Sequence, residues 1–371
     1  MTMRLRTSAN IAAALSALLI SGIIASAADQ QHLLYVANPG TRNYVEYGGV
    51  GISVFDIDHD YKFVRRIPTW SVPEGAKPEN VKGIVASAAT GRVFVSSLNR
   101  MVAIDAISGK KIWDQSYEGG CDRMAISPDG KVLYVPQLEG PKWHVVNAGN
   151  GKVITTIEPK SGSHNTIFAA DGSRVYLAGL KSTSLSIADP KTHTITSTVG
   201  PFDNVIRPFT VNGSNTLVFV NINGLLGFEV GDIRTGKKLH RVEVQGYQQG
   251  TVKRHGCPSH GIALTPDEKE LWVADCANSA IHIFDATVMP PKQRTTIKAR
   301  DCVGWVSFSM DGRVAYSSTG EIIDVATKKI VTALRDEEGH DVQSEKMLDL
   351  VIAGKKVLRA GSQFGLGAKA Q

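Results

Sequence analysis

Six ionisable side chains stand at comparable places along this 371-residue chain. Lys82, Asp122, His164, Arg207, His260 and Lys346 each lie about thirteen residues ahead of a recurring hydrophobic phrase, and Gly304 occupies the seventh such place. Arg123, Asn165, Trp305 and Glu345 are immediate neighbours of this set. If one element type positions all seven, both signs of charge and two imidazoles meet in one concavity, where ligand sites and perturbed pKa values concentrate. The basic balance points to a small anion, a carboxylate or phosphate. His255-Gly256-Cys257-Pro258-Ser259-His260 is the densest run of potential metal ligands, and His164, His255 and His260 together would suit copper or zinc. Histidines titrating near neutrality would make anion affinity rise as pH falls from about 8 to 6.

The element that must position these residues is a repeat. Ala89-Thr90-Gly91-Arg92-Val93-Phe94-Val95, Pro128-Asp129-Gly130-Lys131-Val132-Leu133-Tyr134-Val135 and Ala170-Asp171-Gly172-Ser173-Arg174-Val175-Tyr176-Leu177 share one plan. Further copies run through Leu217 to Val220, Pro266 to Val273, Met310 to Tyr316 and Ala353 to Leu358. Most have an Asp-Gly type turn that supplies the positive φ of a tight hairpin, between β-branched and aromatic residues that read as buried strands. A third strand and an Asp-x-x-x-Gly phrase follow, as in Val102 to Gly109, and then a fourth strand such as Lys111-Ile112-Trp113. Four strands per repeat and seven repeats predict an all-β, seven-bladed β-propeller. No unit carries the apolar stripe of a helix, which excludes helical repeats.

The ends predict how the ring closes. Leu33 to Asn38 reads as a second strand and Ile52 to Asp56 as a third, while Met347 to Ile352 reads as an inner strand. The last blade is therefore expected to be shared by both termini, which leaves no free edge between first and last blades. Val357 to Ala360 competes for the second-strand place.

Residues 1–27 read as a secretory signal peptide: Arg4 and Arg6, an apolar run from Ile11 to Ile24, then Ala25-Ser26-Ala27 as a small-x-small cleavage site. The run is shorter than a membrane span needs. Residues 28–371 then form one propeller domain, exported to the periplasm or secreted. Removing the two arginines takes the formal charge from +6 to +4. The basic residues are scattered, so nucleic acid is not an expected partner.

Tyr35-Val36-Ala37-Asn38, Ser127-Pro128-Asp129-Gly130-Lys131-Val132-Leu133-Tyr134-Val135 and Leu264-Thr265-Pro266-Asp267 resemble the repeats of YVTN-family β-propellers, a branch of the quinoprotein-amine-dehydrogenase-like superfamily. That resemblance covers the mature chain and implies the fold, whereas function varies across binding proteins, lactonases and oxidoreductase subunits. The leading expectation is an exported propeller that binds a small anionic molecule or a partner protein at its channel face. The alternative is an enzyme at the same mouth. In a lactonase-like form His164 or His260 is the general base and Arg207 steadies an oxyanion; in a metal-dependent form the three histidines hold the ion. Ala103 to Trp113 resembles one tryptophan-docking repeat of quinone-dependent alcohol dehydrogenases, but a single copy reads as interblade packing. No Gly-x-Ser-x-Gly elbow or phosphate-binding glycine loop is present. All four cysteines fall on the channel face, and export permits disulfides. Cys257 with Cys276 is the expected bridge, leaving Cys121 and Cys302 paired or free.

Overall fold

The computed structural model describes residues 30–368; the leader assigned to residues 1–27 lies outside them. The described chain is a seven-bladed β-propeller in which every paired strand is antiparallel to its neighbours. Six blades are four-stranded and follow in sequence over residues 81–116, 125–157, 165–199, 206–243, 259–298 and 306–333. Within each blade, the second and third strands are nearly continuous apolar runs, as in Leu133 to Val135 and Leu271 to Ala274, and are buried on both faces. The outermost strands alternate or are exposed, as in Lys237–Glu243, because only one side meets another blade.

The seventh blade joins the two termini. Met347–Ala353 forms its inner strand, Gln30–Asn38 the second, Gly51–Asp56 the third and Lys62–Ile67 the outermost. Val36 to Gln30 pair in unbroken register with Met347 to Ala353. The competing segment, Lys356–Ala360, does form a hairpin with the inner strand, but it pairs on that strand's other side and makes a fifth strand beside the axis. Burial explains the choice. Leu34, Tyr35, Val36 and Ala37 are fully buried in the second place, whereas Lys356 and Arg359 are exposed and would bury charge there.

Beyond this strand the chain crosses the far end of the channel. Gln363 accepts from Ile84 N and donates to Met124 O, Trp305 Nε1 donates to Gln363 O, and Leu264 N donates to Gly365 O. Gly367 and Ala368 donate to Val211 O and Pro266 O. Residues 361–368 thus tie blades 1, 2, 4, 5 and 6 together and floor the channel beneath the opposite mouth. Among the described residues no helix is long and apolar enough to cross a membrane.

Candidate functional site

Lys82, Asp122, His164, Arg207, His260 and Lys346 all line one cavity of about 240 Å³ at the channel mouth, with Arg123 and Glu345 in the same wall. Their common position is topological, since each stands where an inner strand begins or just before it. The seventh place, Gly304, does not line the cavity. A Cβ there would lie 2.2 Å from His255 Nε2, so the glycine leaves room for an imidazole from the preceding loop. Asn165 is buried outside the cavity lining, and Trp305 lies beneath it.

Two ion-pair groups divide the ring. In the first, Asp122 is almost completely buried, and its Oδ2 lies 2.7 Å from His164 Nδ1 while Lys82 Nζ lies 3.7 Å from Oδ1. Burial pushes this carboxyl up, but Lys82 and His164 more than offset it and hold the pKa below the usual range. In the second, Glu345 Oε2 accepts from Arg123 at 2.7 Å and from Lys346 at 2.9 Å, and Oε1 lies 3.1 Å from His255 Nδ1. Against its burial, Lys346, His255 and Arg123 hold Glu345 well below its ordinary value. Burial pushes Lys346 down to about 8, with Glu345 opposing the shift. Arg123 lies flat on Trp305, its guanidinium carbon 3.5 Å from the ring centroid.

Burial and then neighbouring His255 push His260 well below the ordinary histidine value. That direction disfavours a charge on His260, against the pH dependence expected of it. Its Nδ1 donates to Gly304 O at 2.9 Å, and its ring stacks on His255 with centroids 4.7 Å apart.

The proposed metal set is also redrawn. His164 turns its Nδ1 to Asp122, and the residue that joins His255 and His260 is Glu345, with one potential ligand atom from each lying within 4.8 Å of the others. That carboxylate already carries Arg123 and Lys346, so a divalent ion would sit beside two buried cations. Those two charges would repel a copper or zinc ion at these donors. His255 also lies near Cys276 and Cys302, but these are bonded to each other.

That bond corrects the cysteine pairing. Cys276, in the turn between the second and third strands of blade 5, joins Cys302, in the loop entering blade 6, while Cys121 and Cys257 are free and buried. The Cys257 sulfur is directed to Ser259 O at 2.9 Å. Burial pushes its thiol up to about 12 and that of Cys121 up as well. Peptide mapping without reductant is expected to recover Cys276 linked to Cys302, with Cys121 and Cys257 resisting alkylation until the protein is unfolded. A Cys257 to Cys276 link would contradict this arrangement.

Arg42 and Arg254 also line the cavity, and neither stands at a repeat position. Arg42 lies in the long connection after Asn38, and Arg254 lies in the insertion that makes the interval from Arg207 to His260 the longest in the repeat. That irregular interval was the available signal. Arg254 pairs with Asp301 at 3.0 Å, and Arg42 donates to Arg254 O.

Neither a protein-family model nor a curated protein matches the chain. Among solved structures, it is similar to a hydrazine synthase chain of Kuenenia stuttgartiensis at 14% identity, with a TM-score of 0.46, over 72% of this chain and 99% of that one.

Proposed function

We propose that this protein, with repeats resembling those of YVTN propellers, is exported and binds a small organic anion in the cup at its channel mouth. One observation carries this reading. Arg123 Nη1 and Arg254 Nη1 belong to residues that line one cavity, and both are buried without a hydrogen-bond partner. Unpaired buried polar atoms are costly, and an oxyanion with several acceptors would satisfy them. The lining gives the same sign. Arg42, Lys82, Arg123, Arg207, Arg254 and Lys346 face only Asp122, Glu139 and Glu345. A polar concavity of about 240 Å³ suits a small molecule better than the broad face of a partner protein.

Succinate, citrate and inorganic phosphate, compared with neutral succinamide in a thermal-shift series, test the reading. At a hundredfold excess over its dissociation constant a binding anion stabilises by about 2.7 kcal/mol. The pH dependence follows from Lys346. Its ammonium is present below about 8 and lost above it, so affinity should weaken between pH 7 and 9. Arg254→Gln should weaken the same anion. Absence of any shift at pH 7 with all three anions would overturn the proposal.

A further inference from the structure

We infer that the cup hydrolyses a carboxylate-bearing ester, with His164 as general base and Asp122 as its positioning residue; this rests on the anion-binding reading above. The imidazoles of the cup differ in what they can do. His260 gives its Nδ1 to a backbone carbonyl, and the nearby Glu345 carboxylate is hydrogen-bonded to Arg123 and Lys346 instead. His255 has Glu345, but Arg123 and Lys346 share that carboxylate, and the His255 Nε2 edge packs against Gly304.

His164 is different on each count. Its Nδ1 hydrogen bond to the buried Asp122 carboxylate, 2.7 Å long, fixes the tautomer that leaves the lone pair on Nε2. Among the described residues nothing hydrogen-bonds that Nε2, and the 14% exposed side chain lines the cavity. Lys82 beside the same carboxylate keeps Asp122 ionised. This is the orientation of a general base facing a space rich in cations.

Thr41 supplies the one side-chain hydroxyl of the lining and is buried, and no serine or thiolate competes with water. The cavity is lined by no serine, and the Cys257 thiol, pushed up to about 12, is not a thiolate at neutral pH. Water is therefore the nucleophile. As its oxygen bonds to the ester carbonyl carbon, its proton passes to His164 Nε2. The tetrahedral intermediate then breaks the bond to the alcohol oxygen, and the departing alkoxide takes that proton from the imidazolium. The products are a carboxylic acid, which ionises, and an alcohol; no oxidant or reductant is consumed. The cationic wall holds the substrate's own carboxylate and offsets the oxyanion charge.

The test uses the mono-4-nitrophenyl ester of succinate as probe, 4-nitrophenyl acetate as the uncharged comparison, and succinate thermal shifts on every variant. The wild-type protein should hydrolyse the anionic ester with a kcat/KM about 100-fold or more above that of His164→Ala, with succinate as a competitive inhibitor. Asp122→Asn should lower kcat while leaving succinate binding in place. Added imidazole should restore part of the His164→Ala rate, which a structural role for His164 would not produce. Equal rates for wild type and His164→Ala, with succinate bound by both, would overturn the hydrolytic inference and leave the anion site standing. Failure of succinate, citrate and phosphate alike to bind would remove both.

Discussion

A chain ending at Gly339 is expected to aggregate rather than melt cooperatively. The truncation removes Met347–Ala353, the strand that pairs with Gln30–Asn38 and closes the ring. Leu348, Leu350 and Ile352 go with it, and these pack in one core cluster with Tyr35, Ile52, Val81 and Val93 across the boundary between blades 7 and 1. At about 1.5–3 kcal/mol for each large apolar side chain, this loss approaches the roughly 5–15 kcal/mol that holds a whole domain. The Gln30–Asn38 edge, now unpaired and apolar, is a template for intermolecular pairing. A chain ending at Ala360 is the control. It keeps every blade and loses only the channel floor, so it should remain soluble with a lower melting temperature. Calorimetry and light scattering on the two truncations distinguish the cases, and a soluble, cooperatively melting Gly339-terminated chain would show that closure does not depend on both termini.

The second large effect lies in the cup. Glu345→Gln leaves Arg123 and Lys346, both at least nine-tenths buried, without the carboxylate they share. Breaking a buried ion pair from one side costs about 3–5 kcal/mol, because the remaining charge is uncompensated. The pH dependence has a definite sign. Burial already depresses Lys346 to about 8 with Glu345 opposing it, so removing Glu345 depresses it further. Well below that new value both proteins carry the buried ammonium and the deficit is full. Between the new value and about 8 the variant's lysine is neutral while that of the wild type is still charged, so the deficit narrows as pH rises. Urea unfolding at pH 6, 7 and 8 measures it. Succinate should recover part of the loss, since it brings carboxylate back to the same cations. A deficit below about 1 kcal/mol at pH 6 would mean that water, not Glu345, solvates Arg123 and Lys346.

The sequence alone determined the blades and the ring. Asp129-Gly130 and Asp171-Gly172 turns, flanked by β-branched and aromatic runs, act over a few residues, and such local chemistry repeats legibly. Because repeat and fold share one period, the sequence pattern places Lys82, Asp122, His164, Arg207, His260 and Lys346 at one mouth, and they line one cavity. The shared seventh blade followed from the same pattern. Only the tertiary structure decided the rest, because it depends on distances between segments far apart in the chain. Cys302 rather than Cys257 reaches Cys276 across a blade boundary, and a pattern read blade by blade favours the partner within the blade. Which carboxylate serves which cation, Asp122 with His164 or Glu345 with Arg123, 222 positions away, is set by side-chain direction within the mouth. Arg42 and Arg254 reach the cup from aperiodic loops, and residues 361–368 cross the floor with no periodic pattern at all. Hydrophobic periodicity specifies which face of a strand is buried; it carries no information about where an irregular segment ends in space.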